Sequence, residues 1–158
     1  MNFAAVPAAA KRCAWSAARR GGRVLLKVMD PDYFEELVDE ALEDLPEQFA
    51  ERLDNVDLVV QARPSRKILR EMGLLGRSTL LGLYQGVPQT KRDTSYGNVM
   101  PDRILIFREP ILDEADATCP EDGDFDEAVR QAVRKTVLHE IGHHFGLSDE
   151  DLERLEYG

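Results

Sequence analysis

Two cysteines, three histidines and one tryptophan in 158 residues leave little for several common architectures. Cys13 and Cys119 stand far apart and form no C-x-x-C pair. They do not write a disulfide framework, and two thiols without a credible secretory leader point to a reducing, cytoplasmic setting. No apolar run approaches the ~20 residues that a membrane-spanning helix needs. Basic residues are also short: 20 Lys and Arg against 30 Asp and Glu give a net charge of −10. Nucleic acid and an anionic membrane surface are therefore poor candidates for the main partner. What is present, 43% apolar and 32% charged residues, describes an ordinary globular chain and excludes wholesale disorder or a collagen-like repeat. A chain of this length suits one domain, which buries roughly 70% of its unfolded surface.

The charge is uneven. Residues 1–27 carry six basic groups (Lys11, Arg12, Arg19, Arg20, Arg23, Lys27) and no acidic one, so the remainder holds fourteen basic against thirty acidic residues, or −16. The apolar stretch Phe3 to Ala10 precedes these charges, the reverse of a secretory signal. An Arg-rich targeting segment, a basic arm and translated upstream sequence all fit, and the last is the reading adopted. Residues 1–28 are expected to form a disordered basic extension, and residues 29–158 the folded domain.

From Met29 onward the elements follow from spacing and caps. Asp30-Pro31 opens a helix, with Asp32 and Glu35 as a second capping register. Phe34, Leu37, Val38, Ala41, Leu42 and Leu45 recur at helical spacing, predicting an amphipathic helix over 31–45. Pro46 ends it or starts a short turn through Leu53. Val56 to Gln61, Leu80 to Gln85 and Ile104 to Phe107 read as strands, the last apolar enough to be buried on both faces. A short helix over 65–73 turns Ile68, Leu69 and Met72 inward. Between the last two strands lies a polar stretch from Gly86 to Pro101, of a length that is often functional. Asp113 to Glu127 holds eight carboxylates and reads as a solvated acidic loop rather than a calcium site, ending in an Asp124/Glu127 capping box.

The chemistry lies in the final long helix, 125–145. Phe125, Ala128, Val129, Ala132 and Val133 share one face, and past Thr136 the pattern is expected to invert, with His139, Glu140 and His143 continuing the formerly apolar side. Such a helix runs from the surface into the middle of the molecule and presents a polar face to a cleft. His139-Glu140-Ile141-Gly142-His143 is H-E-x-x-H. Imidazoles at i and i+4 stand roughly 5–6 Å apart and can converge on one zinc ion. The Glu between them is placed to act as a general base toward a zinc-activated water. The plain alternative is a helix end with two buried, hydrogen-bonded histidines and a surface glutamate. Gly146 can end the helix in a left-handed conformation, and Asp149 follows where the reversed chain could return a carboxylate to the metal. His144 points about 100° away from His143 and reads as a packing or supporting histidine.

The stretch His139 to Asp149 matches H-E-x-x-H-x-x-G-x-x-D, the zincin pattern with the metzincin spacing of the third ligand. Together with Phe34 to Val38, Leu81 to Pro88 and Pro101 to Ile104, it resembles the small bacterial zincin-like metallopeptidases with a minimal matrix-metalloprotease-like domain, over roughly residues 30–157. The chain has no methionine beyond Met100 and so lacks the methionine turn of full metzincins. The resemblance implies an α+β, compact zincin-like fold, with a small mixed sheet packed on helices and the H-E-x-x-H helix near the C-terminus. It implies His139, His143 and Asp149 as zinc ligands, Glu140 as the catalytic base and a peptide or protein as substrate. Glu150, Glu153 and Glu156 compete with Asp149 for the third position, and Asp149 could instead cap a terminal helix. Two functions remain open: a zinc metallopeptidase, with Tyr96 as a candidate oxyanion donor, or a non-catalytic zincin-like module that binds metal or a partner.

Overall fold

The computed structural model describes residues 5–7, 29–51, 53, 55–74, 78–91, 101–120 and 123–154. Helix α1 (Pro31–Glu43) opens as expected, with Pro31 in its first turn and the Asp30 side chain accepting from the Asp32 N–H at 2.9 Å. Its apolar stripe, Phe34, Leu37, Val38 and Ala41, is buried. Pro46 starts only a single turn, α2 (Glu47–Ala50). Strand β2 (Val56–Gln61) follows, then α3 (Arg66–Glu71), capped by the Ser65 hydroxyl on the Ile68 N–H at 3.2 Å.

The strand expected over 80–85 is two: β3 (Ser78–Leu80) and β4 (Gly82–Gln85), interrupted at Leu81. Strand β5 (Asp102–Phe107) is the middle of a three-stranded mixed sheet of order β2-β5-β4, parallel to β2 and antiparallel to β4. Its central place explains why Ile104 to Phe107 are all buried. Ile104 and Ile106 join Tyr84 on the face covered by α1 and two later helices, whereas Leu105 and Phe107 join Leu83 on the face covered by α3. Of the basic N-terminal segment, Ala5–Pro7 is described: it forms β1, paired antiparallel with β3. Trp15 and the basic groups up to Lys27 lie outside the described residues, as do Tyr96 and most of the polar stretch before Pro101.

One expectation is corrected by a helix. Arg108–Thr118 form α4, so the acidic stretch read as a loop is helical over its first half. Pro110 sits in the first turn, where a missing N–H costs nothing, and Ile111 and Ala115 at i, i+4 are fully buried. The carboxylates mask that short stripe in the sequence. Helix α5 (Phe125–His144) follows, with Asp124 accepting from the Asp126 N–H at 3.0 Å. Glu127 does not complete a capping box; it accepts from Gln131 at 2.9 Å.

The expected inversion along α5 is present. Val129, Val133, Val137 and Ile141 form one unbroken line in the main core. That row winds round the helix by about 120°. Val137 and Ile141 therefore fall on the side of Arg130 and Arg134, seven residues earlier, while His139, Glu140 and His143 continue the side of Ala132, Val133 and Thr136 and are buried, as is His144. The helix runs into the middle of the molecule, and its histidines and Glu140 take over the formerly apolar side.

Candidate metal centre

Gly146, at φ +86°, closes α5 in the left-handed region that favours glycine. Its N–H donates to the His143 carbonyl at 3.0 Å, and the Leu147 N–H donates to the Gly142 carbonyl at 3.0 Å, a Schellman closure that turns the chain back on itself. The chain then enters α6 (Asp149–Arg154). Ser148 and Asp151 cap that helix reciprocally: the Ser148 hydroxyl donates to Asp151 Oδ2 at 2.7 Å and accepts from the Asp151 N–H at 3.3 Å. The Ser148 N–H also donates to Asp151 Oδ2, at 3.2 Å. Ser148, not Asp149, is therefore the cap. The Asp149 carboxylate is released from that competing duty and faces the two histidines.

Asp149 Oδ1 lies 3.4 Å from His139 Nε2 and 3.3 Å from His143 Nε2, and the two Nε2 atoms are 2.9 Å apart. These separations can be tested against a metal. Four ligands placed tetrahedrally at ~2.0–2.1 Å from zinc stand roughly 3.3–3.4 Å from one another. Two of the three edges match and the third is somewhat short, so the donor set fits a small ion without rearrangement of the backbone. Among the described residues, His139, His143 and Asp149 are the group whose ligand atoms lie close enough together, all within 4.8 Å, to hold a metal ion. The outer nitrogen of His143 supports the same use. Its Nδ1 lies 3.0 Å from the Leu147 carbonyl, which places the proton there and leaves the Nε2 lone pair for the cluster. Glu150 and Glu153 are exposed on α6 and do not join the cluster, and Glu156 lies outside the described residues.

Glu140 is fully buried, and its Oε2 accepts the Tyr84 N–H of β4 at 2.7 Å. The register explains that bond. Phe107 N–H donates to the Leu81 carbonyl and Asp102 N–H to that of Asn55, so alternate residues of β4 turn their main-chain groups to β5, leaving Gly82 and Tyr84 directed to the open edge. Gly82 is where Glu140 passes: a Cβ there would come within 2.7 Å of Glu140 Cγ. A cleft of about 400 Å³ runs beside this edge, lined by Leu83 to Gly86 on one side and by His143, Gly146, Leu147 and Ser148 on the other.

His144 stays out of the metal cluster and takes the supporting place expected of it, fully buried with Nδ1 3.1 Å from Asp102 Oδ2. Asp102, Tyr84, Gln89 and the close-approach glycines Gly82 and Gly86 were not singled out by residue chemistry. Their only sequence signal was to lie within or beside the stretches Leu81 to Pro88 and Pro101 to Ile104.

The class this geometry defines is a zincin-type site: an H-E-x-x-H helix, a glycine reversal and a returning carboxylate beneath the edge of a mixed sheet. Residues 53–158 match the model of the zincin-like metallopeptidase family, and the chain belongs to that family. The match begins after α1, which the sequence resemblance had included. Among solved structures, a conserved hypothetical protein from Thermo thermophilus is similar at 26% identity over 80% of this chain and 97% of that one, with a TM-score of 0.40. No curated protein matches the chain. No helix among the described residues is long and apolar enough to cross a membrane.

Proposed function

We propose that this protein is a zinc-dependent metallopeptidase whose ligands are His139, His143 and Asp149. The observation that carries the reading is the spacing of their three donor atoms, 2.9, 3.3 and 3.4 Å, close to the edges of a zinc tetrahedron. Held by these three side chains, zinc would supply Lewis-acid polarisation of a peptide carbonyl and a lowered pKa for water. The chain supplies the rest. Glu140 takes the proton of the attacking water on its carboxylate, whose orientation the Tyr84 N–H holds through Oε2. An extended peptide lies in the cleft beside β4, between Leu83 to Gly86 on one side and His143, Leu147 and Ser148 on the other, with its side chains against those walls. The acidic chain, −10 overall, disfavours nucleic acid or an anionic membrane as partner, and two cysteines far apart in the sequence suit a reducing cytoplasm.

The full burial of Glu140 favours a second reading, a metal-binding module that works without hydrolysis. One experiment separates the two: metal analysis of the purified protein together with a peptide-library cleavage assay on wild type and Glu140→Gln. The metallopeptidase reading expects about one zinc per chain in both proteins and cleavage only in wild type. Zinc in both with cleavage in neither supports the module, and metal retained after loss of both histidines overturns the ligand assignment.

A further inference from the structure

The last turn of α5 carries a second polar cluster that the metal centre does not use. His144 is fully buried, with Nδ1 3.1 Å from Oδ2 of Asp102, which is itself only 3% exposed. The same Asp102 oxygen accepts the Tyr84 hydroxyl at 2.7 Å, and His144 Nε2 lies 3.1 Å from the Gln89 amide nitrogen. With that amide donating, Nε2 accepts and Nδ1 carries the proton given to Asp102. Gly86 makes the room: a Cβ there would stand 2.4 Å from Asp102 Cγ and 2.6 Å from the Tyr84 hydroxyl. Strand β4, the turn after it, the start of β5 and the end of α5 thus meet in one buried network.

Burying such groups costs desolvation that apolar residues of similar size avoid, so stability alone does not account for them. What a hydrogen-bonded network adds is direction. The turn it fastens, Gly86 to Lys91, is a wall of the cleft: Pro88 and Lys91 line it across from His143 and Leu147. Thr90 presses on the helix end as well, since a Cβ on Gly146 would come within 2.2 Å of its Oγ1. We propose that Asp102 and His144 are positioning residues that clamp the 86–91 turn and the β4 edge onto the motif helix, fixing the width of the cleft beside the metal centre. That the cleft receives a peptide rests on the metallopeptidase reading above.

The test uses the full chain loaded with zinc, as wild type, Asp102→Asn, His144→Phe and Gln89→Ala. Gln89→Ala alters no residue of the motif helix and decides the matter if the buried variants fail to fold. Amide hydrogen exchange over 82–91 is expected to accelerate about tenfold or more, while α1 and β2 keep wild-type rates and zinc stays near one per chain. On the best library peptide, KM should rise about tenfold with kcat nearly unchanged, because the clamp shapes binding rather than the reacting atoms. Exchange that is unaltered, or that rises equally throughout the chain, overturns the clamp, as does a fall in kcat at constant KM. A wild type that cleaves no library peptide overturns the peptidase reading alone, and the exchange pattern then decides the clamp.

Discussion

From Phe125 to Thr136, α5 buries one stripe against the core and gives its other side to water and to α1, where Arg130 pairs with Glu40 and Arg134 with Asp44 at 2.9 Å. From Val137 to His144 the same helix is buried almost all round. The first half can meet its obligations loosely: valines need only apolar neighbours, and exposed ion pairs tolerate loss. The second half has no such latitude. Each buried polar group there needs a partner at a set place, and Tyr84 N–H, Asp102 and the Leu147 carbonyl supply them. Stability and function are thus carried by different halves of one element, and substitutions should separate them.

The largest expected difference lies in the second half. His139→Ala or His143→Ala should take zinc from about one per chain to none, as read by metal analysis after dialysis. Asp149→Ala should weaken zinc affinity steeply, whereas Ser148→Ala should lower thermal stability by ~1 kcal/mol and leave the affinity in place. Unchanged zinc affinity in the Asp149 variant sinks its assignment as the third ligand. Gly82→Ala sharpens the same point. Its methyl displaces Glu140 rather than a ligand, so zinc content should hold while hydrolysis falls.

In the first half the response is reversed. Val133→Ala, in a fully buried position of the core, should cost about 2 kcal/mol in denaturant unfolding and leave zinc stoichiometry untouched. Arg134→Ala should cost at most about 1 kcal/mol, and that loss should shrink further in high salt, because its partner Asp44 is 61% exposed. A large zinc loss from Val133→Ala would show that the two halves are not separable.

The same contrast governs what the sequence could disclose. The cap at Asp30, the stripe of α1, the strand Val56–Gln61 and the reversal at Gly146 are local, each set by neighbours within a turn or two, and each was legible. The i, i+4 histidines and the returning Asp149 were legible for the same reason, since one helix and one tight reversal bring them together. Helix α4 was not, because its buried stripe is two residues deep in an acidic background. The inversion of α5 was legible, but what covers it was not: burial of the histidine side is imposed by β4 and β5 from far along the chain, and nothing in the helix itself records which strand does so. Asp102 carries no local signal for the same reason, though it is among the most buried polar groups described.

The smallest expected effect concerns the cap that frees Asp149. Hydrogen bonds from the Ser148 hydroxyl, then from its N–H, hold the Asp151 carboxyl below its ordinary value, with Arg154 adding to them. A depressed carboxylate stabilises the fold above its unfolded pKa of about 3.9 and loses that contribution as pH falls through the folded value. Neutral solution therefore lies on the plateau, and only acid reaches the slope. Asp151→Asn keeps an acceptor but removes the charge. With a chelator present, to exclude metal release from the signal, its melting temperature should sit slightly below that of wild type at a constant interval from about pH 5 to pH 8. The two melting curves should then converge below pH 4, roughly where the wild-type carboxylate takes up its proton. An interval that instead widens in acid would mean that Asp151 does not hold its charge through Ser148, and the reciprocal cap that leaves Asp149 to the histidines would lose its support.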